Sequence, residues 1–192
     1  SQDQRLAMSS GLDVHILVLD DTPKIWLKKC LDTVTSAADN TSFPVEVHII
    51  QGVKGHIGQG RAEGFNRGNH QYATYIDDDD YVLPTIFDAL VETMSQNPAA
   101  IFTGELQEQN GHLRKSISAH HLAIYRRDVL PLVNLSRWFV CADWAMRKAI
   151  EGHPDGVTLL NQFNYVHRMY PTSRARMMRS VYQKELLELV NG

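Results

Sequence analysis

The chain has 192 residues, of which 43% are hydrophobic and 21% charged, and its formal net charge is −3. This length suits one domain with a full core, and the charge excludes a protein whose overall basicity attracts nucleic acid. No apolar run approaches the roughly 20 residues that span a bilayer, and no signal peptide is visible, so a cytoplasmic protein is expected.

The first half of the chain alternates between predicted strands and helices. Apolar runs predict strands over 14–19, 45–50 and 72–76. A helix capped by Thr22, with Pro23 in its first turn, is expected between the first two strands. A glycine-rich stretch leads into a helix predicted over 61–68. This alternation indicates an α/β domain with a mainly parallel sheet, which binds ligands at the carboxyl ends of its strands.

The second half is predicted to be less regular. Pro84 is expected to begin a helix, and Asn110-Gly111 predicts a tight turn between two antiparallel strands. The other predicted elements are a strand-to-helix passage over 123–132, a helix over 143–151, a strand over 157–166 and a helix over 181–190. The predicted units are a disordered N-terminus over 1–12, one domain over 13–180 and a C-terminal helix over 181–192. The domain is expected to divide into a first half, 13–100, and a second half, 101–180.

The two cysteines, Cys30 and Cys141, are far apart in the sequence and do not have the spacing of metal ligands. Both are expected to be reduced and buried, as in a cytosolic protein.

Four consecutive aspartates, at residues 77–80, follow the predicted third strand. Adjacent carboxylates repel one another and are expected where a divalent cation neutralises them. Because side chains two apart on a strand share a face, an Asp-x-Asp pair directs two carboxylates into one coordination sphere. Their hard oxygens suit Mg²⁺ or Mn²⁺, which bind phosphates. The alternative interpretation is a solvated acidic loop.

Three motifs stand in a fixed order along the chain. They are Asn66-Arg67-Gly68 followed by the aspartates, Tyr81 and Pro84; Ala142-Asp143-Trp144; and Tyr165-Val166-His167-Arg168 followed by Ser173. Over about residues 13–170 the chain thereby resembles the family 2 glycosyltransferases. The resemblance implies a GT-A, Rossmann-like α/β fold. Such a fold has a mostly parallel central sheet, helices on both faces and a small antiparallel hairpin on the acceptor side.

The resemblance also implies an activity, with residues 13–100 as the nucleotide-sugar half of the domain and residues 101–180 as the acceptor half. A sugar would move from a nucleotide-diphosphate sugar, with UDP favoured as the nucleotide, to an acceptor hydroxyl, with inversion at the anomeric carbon. Mn²⁺ or Mg²⁺ would hold the charge of the departing diphosphate. Asp143 would be the general base. The implied metal ligands are Asp77, Asp79 and His167, and the implied donor-binding residues are Asp20, Asp21, Arg61, Asp77 and Asp78.

Several of these assignments have structural alternatives. Asp143 has the position of a helix cap, Arg61 that of an exposed helix arginine, and His167 that of a surface histidine. At the ends of the first two strands the chain has Asp20-Asp21 and Gln51-Gly52 in place of the family's usual residues, which leaves the nucleotide base open.

The acceptor is not specified by the sequence. The classes considered are an anionic polymer, a glycan, a lipid and a modified nucleic-acid base. A basic segment contains His167, Arg168, Arg174, Arg176 and Arg179. It is interpreted either as a lid over the diphosphate or as a segment that binds an anionic acceptor. His120 and His121 are further candidates for acceptor contact. The rival classes are a nucleotidyltransferase and a non-catalytic, transferase-like binding module. The sequence gives no oligomeric state.

Overall fold

The computed structural model describes residues 9–117, 122–170 and 178–192. The strands are β1 Ser9–Val18, β2 Val45–Gln51, β3 His70–Asp77, β4 Tyr81–Val82, β5 Ala100–Thr103, β6 Glu105–Gln109, β7 His112–Ser116, β8 Ala123–Arg126, β9 Val157–Leu160 and β10 Tyr165–Arg168. The α-helices are α1 Lys24–Asn40, α2 Ile57–Phe65, α3 Val91–Ser95, α4 Ala142–Ile150 and α5 Arg179–Asn191. Short 3₁₀ helices occupy Asp88–Leu90, Arg127–Leu132 and Leu135–Arg137. Among these residues no helix is long and apolar enough to cross a membrane.

Six strands form the main sheet, in the order β2-β1-β3-β8-β5-β9. β1 pairs in parallel with β2 and β3, and β5 pairs in parallel with β9. β8 is antiparallel to both of its neighbours, β3 and β5. The five other strands therefore share one direction, and their carboxyl ends lie at one edge of the sheet. The predicted α/β fold with a mostly parallel sheet is confirmed.

Each face of the main sheet carries its own core, because successive side chains of a strand point to opposite faces. On one face, Val14 of β1 is buried in a cluster with Cys30 of α1. On the other face, Tyr75 of β3 and Tyr125 of β8 are buried in a cluster with Met146 of α4. Helices thus cover both faces of the sheet, as predicted.

A second, four-stranded sheet has the order β4-β10-β6-β7. β6 and β7 form the predicted hairpin, and its turn residues Asn110 and Gly111 have φ of 50° and 78°. Positive φ at both central residues is the geometry of the tight turn that the Asn-Gly pair predicted. β10 pairs with both β4 and β6, which brings it beside the aspartates that precede β4.

The glycine of the Asn66-Arg67-Gly68 motif is required by a close approach at the amino end of the sheet. Gly68 has φ of 72°, and a Cβ atom there would lie 2.0 Å from a carboxylate oxygen of Asp13. Asp13 is buried and accepts hydrogen bonds from Arg127 at 2.5 Å and from the His70 amide at 2.8 Å. This network joins β1, β3 and the segment after β8.

Two predicted boundaries near the start of the chain are wrong. β1 begins at Ser9, so the prediction of disorder is wrong for 9–12, while residues 1–8 lie outside the described residues. Thr22 does not cap α1. The cap position belongs to Pro23, which makes no side-chain capping bond, and the Thr22 hydroxyl donates to Asp78 instead.

Further corrections concern the glycine-rich helix and the second half. α2 spans Ile57–Phe65, not 61–68, and the helix expected from Pro84 begins only at Asp88, as a 3₁₀ turn. The strand predicted over 157–166 is two strands, β9 in the main sheet and β10 in the second. Both cysteines are unpaired and buried, as expected.

Candidate active site

The four aspartates lie at the carboxyl edge of the main sheet, in a tight turn after β3. The Asp80 amide donates to the Asp77 carbonyl at 3.1 Å and closes this turn. The side chains of Asp78 and Asp80 are buried, whereas Asp77 and Asp79 are partly exposed. The geometry of this turn therefore buries two of the four carboxylates.

Asp78 joins the ends of two strands. Its carboxylate accepts the Leu19 amide at 2.8 Å and the Thr22 hydroxyl at 2.6 Å. Both donors follow β1, so Asp78 fixes the end of β1 against the end of β3. Direct contact of Asp78 with the donor stays a prediction, and the hydrogen bonds give this side chain a structural task.

Asp80 is held by residues of β10. Its carboxylate accepts the Tyr165 hydroxyl at 2.6 Å and the Arg168 amide at 2.8 Å, and His167 Nδ1 lies 3.9 Å from its Oδ2 atom. Burial raises the pKa of Tyr165 well above its usual value, and the neighbouring carboxylates of Asp80 and Asp77 raise it further. The hydroxyl therefore stays protonated and donates to Asp80.

Asp79 meets an aromatic pair that the sequence did not predict. The Tyr170 hydroxyl donates to Asp79 Oδ2 at 2.6 Å, and the Tyr170 ring lies 5.0 Å from the Trp26 ring on α1. These contacts link segments far apart in the chain, so no local pattern announces them.

Three of the aspartates form a group that fits a divalent cation. Asp77, Asp79 and Asp80 each offer an oxygen within 4.8 Å of the others, and hard carboxylate oxygens are the ligands that Mg²⁺ and Mn²⁺ prefer. The predicted ligands were Asp77, Asp79 and His167. The structure brings the first two together with Asp80, and His167 lies beside that group through its contact with Asp80.

Arg61 of α2 is buried, so the exposed-arginine alternative is wrong. Its Nη2 atom donates to Asp77, its Nε atom lies 3.5 Å from Asp143 Oδ1, and its guanidinium lies 3.7 Å from the centroid of the Tyr75 ring. Burial alone would lower the pKa of Arg61, but the carboxylates of Asp77 and Asp143 hold that pKa above its usual value. Arg61 is therefore a permanent cation between the two acids.

Asp143 is the second residue of α4, and its side chain is 34% exposed. The helix-cap alternative is wrong, because the cap position belongs to Cys141. Glu185 of α5 accepts the amides of Phe139, Val140 and Cys141 at 2.6, 3.0 and 2.8 Å. Glu185 therefore caps and fixes the start of the helix that carries Asp143.

A cavity of about 750 Å³ adjoins Trp144, the residue after Asp143. Phe102 of β5, Arg147 of α4 and Leu159 of β9 also line it. The Arg147 guanidinium lies 5.0 Å from the ring centroids of both Phe102 and Trp144. The cavity has the size of a small-molecule site and combines aromatic surface with positive charge.

The remaining predicted residues divide into two groups. Asp20 and Asp21 are exposed after β1, at the same sheet edge as the aspartate turn, and Asp20 accepts a hydrogen bond from the side-chain Nε2 atom of Gln51 at 3.0 Å. His120, His121, Ser173, Arg174 and Arg176 lie outside the described residues.

The chain belongs to glycosyl transferase family 2, whose model matches residues 3–152. It is 24% identical over 110 residues to the GalNAc(5)-diNAcBac-PP-undecaprenol beta-1,3-glucosyltransferase of Campylobacter jejuni. That alignment covers 57% of this chain and 34% of that protein. The predicted family is confirmed.

Solved structures share the fold. The crystal structure of S. aureus TarS is similar with a TM-score of 0.63 at 12% identity, over 92% of this chain and 40% of that one. TarS 1-349 in complex with UDP-GlcNAc gives 0.57 at 10% identity, over 86% of this chain and 60% of that one. The chain therefore spans 40% to 60% of these two chains, which is less than two thirds, and the likeness confirms the predicted GT-A-type fold.

Proposed function

We propose that this chain transfers a sugar from a UDP-sugar to an acceptor hydroxyl, with Mn²⁺ or Mg²⁺ at the aspartate turn and inversion at the anomeric carbon. One observation carries the proposal: the same buried arginine, Arg61, contacts two carboxylates. One is Asp77, a member of the aspartate cluster that suits a cation, and the other is Asp143, which is partly exposed. Family membership, and the UDP-GlcNAc bound to the similar TarS, support the choice of reaction and donor.

The proposed chemistry assigns a task to each group. Asp77, Asp79 and Asp80 would hold the cation, which when bound supplies positive charge to the leaving diphosphate. Asp143 takes the proton of the acceptor hydroxyl while that oxygen forms its bond to the anomeric carbon. The bond from this carbon to the diphosphate breaks, and its electron pair stays on the phosphate oxygen. A single displacement from the opposite face inverts the configuration.

The acceptor is proposed to approach along the cavity that Trp144 lines, because the same helix, α4, carries both Trp144 and the proposed base. The Campylobacter relative is named for a lipid-diphosphate-linked glycan, which favours a glycan hydroxyl among the acceptor classes. The anionic polymer, lipid and nucleic-acid acceptors, and a cytoplasmic location, stay predictions.

Two substitutions test the proposal. UDP with Mn²⁺ is expected to raise the melting temperature of the wild-type chain, since a ligand that binds only the folded state stabilises it. Asp79→Ala should abolish this shift. Asp143→Asn should keep the shift and lose hydrolysis and transfer of the sugar by about 10²–10⁴-fold, the usual contribution of a general base. Asp39→Asn, an exposed carboxylate on α1, is the control.

The outcomes separate the alternatives. No metal-dependent shift with any nucleotide diphosphate would refute the donor site. An active Asp143→Asn variant would refute the base. A binding module would give the shift without turnover in the wild-type chain, and a nucleotidyltransferase would release pyrophosphate from a nucleoside triphosphate.

A further inference from the structure

We infer that Arg61 is a positioning residue. Its buried guanidinium orients two carboxylates at once: that of Asp77, on the donor side, and that of Asp143, the general base. This inference rests on the proposed function, because it takes Asp143 as the base. It replaces the role expected from the sequence, in which Arg61 contacts the donor phosphate.

The geometry of the guanidinium carries the first step. Arg61 is 2% exposed, and its Nη2 and Nε atoms face Asp77 and Asp143 respectively. The planar group presents its donors in fixed directions, so one guanidinium that meets two carboxylates also sets the distance between them. A lysine at the same position is a point charge and imposes no such angle.

The second step is that the fold does not satisfy Arg61 completely. Within the part of the chain that the structure describes, the buried Nε and Nη1 atoms make no hydrogen bond, and Nε only approaches Asp143 at 3.5 Å. Buried polar atoms without hydrogen bonds are rare and cost stability. A buried cation with this cost, placed between two carboxylates of the proposed site, is better explained by the reaction than by packing.

The third step is the effect on the base. A neighbouring positive charge favours the ionised form of a carboxyl group. Asp143 must be ionised to take the proton of the acceptor hydroxyl, and one of its carboxylate oxygens must point at that proton. Arg61 serves both needs, because its charge attracts the ionised form and its Nε atom faces Oδ1 of a side chain that is 34% exposed.

Arg61→Lys and Arg61→Met test the inference. Lysine keeps the positive charge but lacks the planar guanidinium with its fixed donor directions, and methionine removes the charge. Both variants should retain metal-dependent binding of UDP, because Asp79 and Asp80 are held by Tyr170 and Tyr165, whereas kcat for transfer should fall about a hundredfold, as expected when a reacting group is misplaced. Arg67→Met, whose exposed arginine pairs with Glu63, is the control.

Each other result decides against the inference or against its foundation. A raised KM for the donor with unchanged kcat would make Arg61 a phosphate contact, and a fully active Arg61→Lys would overturn the positioning role. If neither variant folds, the Arg61 Nε–H resonance of the otherwise unchanged chain decides. Asp143→Asn should shift that resonance, and an unchanged resonance overturns the inference. A wild-type chain without a metal-dependent UDP shift would instead refute the proposed function.

Discussion

The four aspartates of the turn after β3 perform different tasks although they are chemically identical. Asp78 and Asp80 accept backbone and hydroxyl hydrogen bonds, which lets a carboxylate be buried. Asp77 and Asp79 stay partly exposed. The motif identified the run as a whole. The motif could not predict which of the four aspartates are buried, because the hydrogen-bond donors to Asp78 and Asp80 come from residues that follow β1 and from β10.

Asp78→Ala is expected to lower the free energy of unfolding by about 2–4 kcal/mol, because the buried Leu19 amide and Thr22 hydroxyl lose their acceptor. Urea denaturation followed by circular dichroism measures the change. Asp39→Ala, on the exposed surface of α1, should change stability by no more than about 0.5 kcal/mol. Equal effects of the two substitutions would contradict the structural task of Asp78.

Trp144 is 48% exposed and lines the cavity along which the acceptor is proposed to approach. Trp144→Ala should raise the KM for a glycan acceptor about tenfold, the value of a lost aromatic contact of about 1.4 kcal/mol. Hydrolysis of the donor without acceptor should keep its rate. Ile49→Ala, an exposed apolar residue on β2, is the matched control. If donor hydrolysis falls together with transfer, Trp144 serves the donor site and not the acceptor.

At the level of elements, the glycine-rich helix α2 packs directly on the segment that leads to α4. The amides of Ile57 and Gly58 donate to the carbonyls of Phe139 and Trp138 at 2.8 and 3.0 Å. A Cβ atom at Gly58 would lie 2.1 Å from the carbonyl oxygens of Leu135 and Trp138. The absence of a side chain at 58 therefore sets the distance between the helix of Arg61 and the helix of Asp143.

Gly58→Ala should consequently destabilise the fold by about 1–3 kcal/mol, the range for overpacking, since the added methyl group meets backbone atoms. The displacement of α4 should also lower kcat for transfer more than it weakens UDP binding. Thermal melting and steady-state kinetics measure the two effects. Gln59→Ala, an exposed position on the same helix, should change neither. Wild-type stability and turnover in Gly58→Ala would show that the segment adjusts freely.

The elements that the sequence predicted best are those with a strong periodic pattern. The apolar runs placed β2 and β3 correctly to within two residues, and β1 to within five. The prediction over 157–166 failed because nothing in this run marks where the chain leaves one sheet for the other. Thr22 was a sound cap by type, but its hydroxyl donates to Asp78, so a tertiary contact overrode the local preference.

For the molecule as a whole, the two predicted halves share one sheet. Strands β1, β2 and β3 come from the first half, and β8 and β9 of the second half continue the same sheet. The site spans this junction, with the aspartate turn on one side and Asp143 on the other. The order of the motifs predicted both the aspartate run and Asp143. It could not predict the roles of Tyr165, Tyr170 and Glu185, because these residues contact segments that are distant in the sequence.

The buried thiols predict how stability depends on alkaline pH. Burial raises the pKa of Cys30, and burial together with nearby Glu185 raises that of Cys141 to about 12. An unfolded thiol ionises near about 8.5, so above this pH the unfolded state binds fewer protons and is favoured. Between about pH 9 and 10 each thiol should lower the unfolding free energy by up to roughly 1.4 kcal/mol per pH unit. In Cys141→Ala the slope should be shallower by that amount, and an unchanged slope would contradict the raised pKa.

The same thiols test whether the sheet unfolds as one unit. Cys30 lies in the core on one face and Cys141 in the core on the other. Only the thiolate reacts with a disulfide reagent, so both cysteines must be exposed by unfolding before they are labelled. If residues 13–180 are one cooperative domain, mass spectrometry at pH 8 should give the two sites the same labelling rate. Urea should then accelerate both rates with the same slope, because the labelled state exposes the same surface. A rate at Cys141 at least about tenfold faster, equivalent to about 1.4 kcal/mol, would show that the face bearing α4 opens alone.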